Sequence, residues 1–199
     1  MKTNIKKVAV LGSGVMGSAI ACHFANVGCS VLLLDIVPKE AEETDKKAAR
    51  NKLVNDALKA SLKSKPSPIY SKSFANRIET GNMTDDMNKI TECDWIIEVV
   101  VERLDIKKIV FENVEKFRKP GTLITSNTSG IPIHTMLEGR SDDFKQHFCG
   151  SHFFNPPRYL KLLEIIPTPE TKQSVVDFLM GYGSKILGKT TVLCKDTPA

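Results

Sequence analysis

The chain has 199 residues, of which 41% are hydrophobic and 26% are charged. This balance is typical of a soluble globular protein with one well-packed domain, and it excludes disordered and fibrous classes. The net charge of +5 is mild and spread along the chain, so it does not by itself indicate nucleic-acid binding, although it leaves room for an anionic ligand.

The cysteines and the N-terminus bear on the compartment. The 5 cysteines form no Cys-x-x-Cys pair, which favours free thiols in a reducing compartment over a disulfide framework or a zinc site, so a cytoplasmic protein is expected.

Lys6, Lys7 and the apolar run after them have the beginnings of a signal peptide, but glycines interrupt the run and no cleavage site follows. No apolar stretch is long enough to span a bilayer, so no membrane contact is expected. No cluster of histidine, cysteine and acidic residues has metal-ligand spacing.

The N-terminal part of the chain predicts a strand, a helix and a second strand. Residues 6–11, KKVAVL, form a short apolar run, and residues 15–28 carry apolar and small side chains at helical spacing up to Gly28. Residues 29–35, CSVLLLD, form the second apolar run. This βαβ pattern predicts a parallel sheet that is covered on both faces.

The rest of the chain continues the alternation. A long, lysine-rich helical segment is predicted from Pro38 to about Lys63, followed by a loop at residues 65–68. Further strands are predicted at residues 94–102, 122–127, 148–153, 160–166 and 190–195, with helices at 103–117 and 170–186. The sequence therefore predicts one doubly wound, Rossmann-type α/β domain over residues 1–199, with a mainly parallel sheet and a long helical excursion after the second strand.

A glycine-rich turn joins the first strand to the first helix. It has the sequence GSGVMG, a GxGxxG pattern, and Asp35 ends the next strand. In this context the pattern predicts a dinucleotide site, because Gly12 permits a tight turn, Gly14 lets a pyrophosphate approach the backbone and Gly17 allows close packing. A triphosphate-binding loop is excluded, because Ser18 follows Gly17 where that motif needs lysine.

Asp35 also selects between cofactors. Its carboxylate is expected to bind the adenosine ribose and would repel a 2'-phosphate. The residues after it, Ile36, Val37 and Pro38, offer no arginine to receive that phosphate, so NAD is predicted rather than NADP. The cofactor contacts expected beside the glycines and Asp35 are Val15, Met16 and Ile36.

The later motifs are more specific than the glycine pattern. The chain resembles the 3-hydroxyacyl-CoA dehydrogenase family in the stretches LGSGVMGSAIA, DWIIEVVVERLDIKK, LITSNTSG, HFFNPPRYLKLLEII and VLCKDTPA, which together span essentially its whole length. The resemblance implies NAD-dependent oxidation of an L-3-hydroxyacyl-CoA to the 3-ketoacyl-CoA, a step of fatty-acid β-oxidation.

The resemblance also implies roles for single residues. His152 would be the catalytic histidine, Glu164 its partner, and Ser129 the contact of the substrate's 3-oxygen. The implied cofactor contacts are Glu102, Lys107 and Asn127. The further implied substrate contacts are Asn155, Lys59, Ser61 and Lys63. The family usually has asparagine where this chain has Arg103, which weakens the match next to Glu102.

The chemistry of alcohol oxidation favours the same pair. When hydride leaves a secondary alcohol the hydroxyl proton must leave too, and histidine is the side chain that can accept a proton near neutral pH. A carboxylate within an apolar run is costly unless it is paired, so Glu164 is expected to be buried against His152, to fix its tautomer and to stabilise the imidazolium. A purely structural pair is the alternative. The other histidines, His23, His134 and His147, are not expected to be catalytic.

Two other features also have structural alternatives. Ser129 follows a strand and is a candidate helix cap. The lysine-rich helical segment is either a solvated face or a contact for the phosphates of coenzyme A.

The end of the sequence bears on activity. Members of the family continue beyond the KDTPA segment into a mostly helical domain that forms a homodimer and closes the substrate site. The chain is therefore expected to be the cofactor domain of a longer enzyme, and an NAD-binding module that is inactive alone is the alternative function. A structural or regulatory protein is disfavoured because the implied catalytic residues are present, and nucleic-acid binding is disfavoured because no aromatic and basic pattern accompanies it.

Overall fold

An eight-stranded sheet organises the computed structural model, which describes residues 4–197. The ends of the predicted 1–199 domain, including the last two residues of the VLCKDTPA motif, lie outside the described residues. The strands are β1 (Lys7–Leu11), β2 (Ser30–Asp35), β3 (Ile78–Asn82), β4 (Trp95–Glu98), β5 (Leu123–Ser126), β6 (Phe148–Phe153), β7 (Leu162–Pro167) and β8 (Thr190–Leu193). The α-helices are α1 (Val15–Asn26), α2 (Lys47–Arg50), α3 (Lys52–Lys63), α4 (Leu104–Phe117), α5 (Asp142–Gln146) and α6 (Gln173–Lys185).

The strand order is β3-β2-β1-β4-β5-β6-β7-β8. Every pair from β3 to β6 is parallel, β7 is antiparallel to β6, and β8 is parallel to β7. The order reverses next to β1, which is the topology of a doubly wound sheet, so the predicted fold class is confirmed.

Hydrophobic clusters cover both faces of the sheet. On one face, Val8 and Val10 of β1 pack in a cluster with side chains of α1, α3 and α6. On the other face, Ala9 and Leu11 pack in a cluster with side chains of α4 and α5. Burial on both faces explains why the central strands are continuous apolar runs rather than alternating ones. None of the helices between residues 4 and 197 combines the length and the hydropathy that crossing a bilayer requires.

The segment after β2 differs from its prediction. The helix expected from Pro38 is only a single 3-10 turn at Lys39–Ala41, and the α-helix begins at Lys47 and is broken at Asn51. Residues 42–46 are EETDK, which offer no apolar face to pack, so nothing stabilises a helix there. Asn51 is buried and its Oδ1 accepts a hydrogen bond of 2.7 Å from Nδ2 of Asn82, which ties the break to β3.

Two strands also differ from their predictions. β3 was not predicted, because this edge strand has the mixed sequence IETGN. β4 ends at Glu98 rather than at residue 102. There the Glu98 side chain accepts a 2.7 Å hydrogen bond from the Val100 amide, and the apolar run that continues to Val101 has left the sheet.

Candidate active site

The predicted site residues meet at one edge of the sheet. The GSGVMG turn follows β1, Asp35 ends β2, Ser129 follows β5, and His152 lies near the end of β6. Because these strands are parallel, their carboxyl ends lie on the same side, where ligands bind in doubly wound folds.

The glycine turn has the shape that a dinucleotide needs. Gly12 has a φ of +105°, and a Cβ on it would lie 2.5 Å from the carbonyl oxygen of Val99. A Cβ on Gly17 would lie 1.8 Å from the oxygen of Gly12, whereas one on Gly14 would meet nothing within 4 Å. The first turn of α1 contains no acidic residue and no side-chain cap. The backbone is therefore open to a pyrophosphate at the helix N-terminus, and these residues fit NAD.

Asp35 is held in place by Ser13, a residue that the sequence reasoning did not single out. Its Oδ2 accepts hydrogen bonds from the amide of Ser13 at 2.6 Å and from its hydroxyl at 2.5 Å, and Oδ1 accepts one from the Ile36 amide at 2.7 Å. The carboxylate is thereby fixed beside the glycine turn, where an adenosine ribose needs it. The feature of the sequence that could have indicated this role of Ser13 is its place between the first two glycines of the turn.

Apolar side chains flank this carboxylate on the surface. Val15 is 75% exposed and Ile36 is 60% exposed, whereas Met16 is half-buried against the core. Val15 and Ile36 are thus available to a flat apolar ligand group, and Met16 is available only in part.

His152 and Glu164 are direct partners on neighbouring antiparallel strands. Nδ1 of His152 lies 2.8 Å from Oε2 of Glu164, so the two side chains make the contact that was predicted for them. A carboxylate accepts hydrogen bonds, so the contact assigns a proton to Nδ1, and in the neutral imidazole Nε2 then has the lone pair. Among residues 4–197, Nε2 has no hydrogen-bond partner. The expectation that Glu164 is buried is wrong, because 30% of its side chain is exposed on a face of β7 that is only partly covered.

The turn after β5 lies beside this pair. Oδ1 of Asn127 accepts a 2.9 Å hydrogen bond from the amide of Phe153, which follows His152, and thus joins the turn to β6. Ser129 is exposed and caps no helix, since the next helical turn, at residues 133–137, has no side-chain cap. Its hydroxyl is therefore available to a ligand.

Lys107 and Glu102 hold that turn from the other side. Nζ of Lys107 lies 2.8 Å from Oε1 of Glu98 and 3.3 Å from Oε2 of Glu102, and the Lys107 side chain is only 1% exposed. The other oxygen of Glu102 accepts hydrogen bonds from the Thr128 hydroxyl and, at 3.0 Å, from the Gly130 amide. Lys107 is thus sequestered in an ion pair, while the partly exposed Glu102 braces the Ser129 turn.

Glu98 was missed by the sequence reasoning. It is fully buried at the end of β4 and also accepts a 2.5 Å hydrogen bond from the Ser126 hydroxyl. Burial raises its pKa above the ordinary range, and the charge of Lys107 opposes that shift. The sequence could have indicated a partner for Glu98, because it is an acidic residue inside the apolar run WIIEVVV, just as Glu164 is an acidic residue inside an apolar run.

A groove of about 490 Å³ lies between the glycine turn, α3 and the loop after β6. Of the predicted substrate contacts, Ser61 and Asn155 line it, and so does Lys65 at the end of the lysine-rich run. Lys59 and Lys63 are exposed and do not line it. The basic run before them is partly neutralised, because Arg50 binds both carboxylate oxygens of Asp85 at 2.7 Å.

The other histidines have partners that sequence spacing did not indicate. Nδ1 of His134 lies 2.6 Å from Oδ2 of Asp196, and Nδ1 of His147 lies 3.3 Å from Oδ1 of Asp143. His23 is buried, and burial lowers its pKa to about 4. No group of three histidine, cysteine, aspartate or glutamate side chains is arranged to hold a metal ion in the described part of the chain.

The family model described as 3-hydroxyacyl-CoA dehydrogenase, NAD binding domain, matches residues 7–197. The chain belongs to the 3-hydroxyacyl-CoA dehydrogenase family. The matched region is the NAD-binding domain of that family, so the prediction of NAD as the cofactor is confirmed.

Curated relatives and solved structures agree with the family. A probable 3-hydroxyacyl-CoA dehydrogenase of Bacillus subtilis is 53% identical over all of this chain, which spans 26% of that protein. A probable 3-hydroxyacyl-CoA dehydrogenase of Deinococcus radiodurans is 46% identical over 98% of this chain, which spans 54% of that protein. The crystal structure of 3-hydroxybutyryl-CoA dehydrogenase from Escherichia coli superimposes with a TM-score of 0.75 at 31% identity, covering 98% of this chain and 39% of that one.

Proposed function

We propose that this domain catalyses the NAD-dependent oxidation of a 3-hydroxyacyl-CoA to the 3-ketoacyl-CoA, with His152 as the general base. The observation that carries the proposal is the 2.8 Å contact between Nδ1 of His152 and Glu164 at the carboxyl edge of an NAD-binding sheet. The relatives from Bacillus subtilis and Deinococcus radiodurans, both described as probable 3-hydroxyacyl-CoA dehydrogenases, support the same reaction.

The proton transfer belongs to His152. Its Nε2 lone pair accepts the proton of the substrate's 3-hydroxyl, while the electrons of that O–H bond form the new carbonyl. The imidazole becomes an imidazolium, and the carboxylate of Glu164, 2.8 Å from Nδ1, stabilises the charge. NAD, when bound, supplies the acceptor for the hydride that leaves C3.

Ser129 and Asn127 complete the site. The exposed Ser129 hydroxyl donates to the substrate's 3-oxygen, and Asn127 keeps the turn that carries Ser129 attached to the strand that carries His152. Glu102 fixes the same turn through the Gly130 amide, so the backbone that carries the hydroxyl is held in place before the substrate arrives.

The groove beside the glycine turn is the proposed path of the acyl-CoA. Its lining is largely apolar, with alanine and proline side chains from α3 and the loop after it, and Ser61, Lys65 and Asn155 are among its polar residues. An apolar groove with a few placed polar groups suits the slender thioester arm of coenzyme A. A homodimer formed through a further helical domain stays a prediction, which sedimentation of the full-length enzyme tests.

The test is the reduction of acetoacetyl-CoA by NADH, followed by loss of NADH absorbance, together with fluorescence titration of NADH and NADPH. Glu164→Gln and His152→Asn should each lower turnover by about 100-fold or more, because general acid–base catalysis contributes on that order. Neither variant should change NADH affinity more than about twofold, since both side chains lie outside the glycine turn.

His134→Asn is the matched control, since His134 has the same Nδ1–carboxylate contact with Asp196 outside the proposed site. It should keep wild-type turnover. Turnover that survives His152→Asn would overturn the base assignment, and turnover that survives Glu164→Gln would overturn the supporting role of Glu164. Tight NADH binding without any turnover by the wild-type chain would identify it as an NAD-binding module that is inactive alone.

A further inference from the structure

Arg158 connects two of the walls of the groove. It follows Asn155 and Pro156, which line one wall, and its Nη1 donates hydrogen bonds to the carbonyl oxygens of Ser67 at 2.7 Å and Ile69 at 2.9 Å. Ser67 and Ile69 belong to the loop after α3, whose residues 64–66 and 68 line the opposite wall. One guanidinium therefore bonds two carbonyls across 91 and 89 residues of sequence.

Aromatic rings reinforce this bridge. The guanidinium lies 4.3 Å from the ring centre of Tyr70 and 5.2 Å from that of Tyr159. The hydroxyl of Tyr159 also donates a 3.0 Å hydrogen bond to the carbonyl of Ser67. A planar guanidinium that donates in its plane and stacks on its faces holds its partners more rigidly than a single hydrogen bond does.

The loop after α3 has no strand or helix of its own between residues 64 and 71. On its other side, Asn26 donates to the carbonyl of Pro68 at 2.9 Å and accepts from the amide of Tyr70 at 2.8 Å. Asn26 ends α1 and so ties the loop to the core, whereas Arg158 ties it to the loop that follows His152. Of these two anchors, Arg158 is the one that joins the loop after α3 to the loop after β6.

We propose that Arg158 is a positioning residue that holds the loop after α3 at a fixed distance from the loop after β6 and thereby prepares the groove for the coenzyme A arm. The identity of the ligand rests on the proposed function. Arg158 itself is not a groove-lining residue, so it acts through Lys65, Pro66 and Asn155. Preorganised walls spare the ligand the entropic cost of ordering them.

The experiment compares Arg158→Met with Arg77→Met. Arg77 is a matched control, because its Nη1 donates to the carbonyl of Ala25 at 2.6 Å and its guanidinium lies 4.0 Å from the ring centre of Phe74, yet it does not line or bridge the groove. The measurements are acetoacetyl-CoA affinity by calorimetry, NADH affinity by fluorescence, melting temperature, and hydrogen exchange of the amides of Ser67, Ile69 and Tyr70, which are the residues of segment 67–70 that carry an amide hydrogen.

Arg158→Met should weaken acetoacetyl-CoA binding by about five- to tenfold, leave NADH affinity within about twofold, and speed exchange at residues 67–70. Arg158→Lys should recover part of the affinity, since it keeps donors but loses the planar fork. Arg77→Met should lower the melting temperature comparably without affecting acetoacetyl-CoA binding.

The outcomes separate this role from the proposed function. Equal acetoacetyl-CoA affinity in wild type and Arg158→Met, or unchanged exchange at residues 67–70, would overturn the positioning role alone. Equal losses of acetoacetyl-CoA affinity in Arg158→Met and Arg77→Met would assign the effect to general stability and would also overturn the positioning role. A wild-type chain that binds NADH but no acetoacetyl-CoA would overturn both the groove assignment and the role of Arg158.

Discussion

Glu98 and Lys107 form an ion pair that is closed to solvent, with Nζ of Lys107 2.8 Å from Oε1 of Glu98 and with 1% and 0% of the lysine and glutamate side chains exposed. The pair lies under the turn that carries Ser129, because Lys107 also reaches Glu102 at 3.3 Å and Glu102 bonds the backbone of that turn. The interior of the domain and the proposed catalytic edge are therefore connected by charge as well as by packing.

Removal of one partner of this pair should be costly. Lys107→Met leaves the Glu98 carboxylate buried without its counter-charge and should lower the free energy of unfolding by about 3 kcal/mol or more. The double variant Glu98→Gln with Lys107→Met should recover part of that loss, since no buried charge is left unpaired. Urea denaturation measures both. Lys108→Met is the control, because Lys108 pairs with the exposed Glu138 and should cost less than about 1 kcal/mol. Equal stability of Lys107→Met and wild type would contradict this account.

Asp35 should decide the cofactor preference. Asp35→Asn removes the charge that repels a 2'-phosphate but keeps the shape, so NADH affinity should fall and NADPH affinity should rise, narrowing the preference by about tenfold or more. Parallel fluorescence titrations measure the ratio. Asp177→Asn, an exposed change on α6, should leave the ratio unchanged. A preference that stays the same in Asp35→Asn would assign cofactor choice to another residue.

Gly17 should tolerate no side chain. In Gly17→Ala the new Cβ would meet the Gly12 carbonyl oxygen, so the turn must distort, and NADH affinity should fall by about tenfold or more. Gly181→Ala is the matched control within a helix, where a Cβ meets nothing within 4 Å and should stabilise the fold by roughly 1 kcal/mol. Wild-type NADH affinity in Gly17→Ala would mean that the turn can shift without harm.

His23 should make the domain sensitive to acid. Burial lowers its pKa from 6.5 to about 4 in the folded protein, so between these values the unfolded chain binds a proton that the folded chain does not. The free energy of unfolding should therefore fall as the pH drops from about 6.5 to about 4, by up to roughly 3 kcal/mol from this group. His23→Gln, which keeps a donor for the carbonyl of Leu187, should remove that part of the slope. Urea denaturation at several pH values compares the two slopes, and identical slopes would exclude His23 as the cause.

Local patterns were enough for most of the fold. The apolar runs at β1, β2 and β6, the helical spacing of α1 and α4, and the glycine turn all depend on neighbours within a few residues, and the structure confirms them within one or two residues at each end. The contact between His152 and Glu164 was also predictable, because a hairpin of two short strands brings together residues only 12 positions apart. β3 was missed because an edge strand with one solvated side needs no apolar run.

The sequence by itself determined most of the secondary-structure order, the glycine turn, the place of Asp35 at the end of the second strand and the family resemblance, since each rests on residue types at short spacing. Only the tertiary structure decided which side chains became neighbours across long separations. Arg158 meets a loop 91 residues away, and His134 meets Asp196 62 residues away. The order of the strands creates these contacts, and periodicity reports only which face a residue buries. Lysine is a residue type that helices usually expose, yet Lys107 is buried because the sheet places Glu98 beneath it.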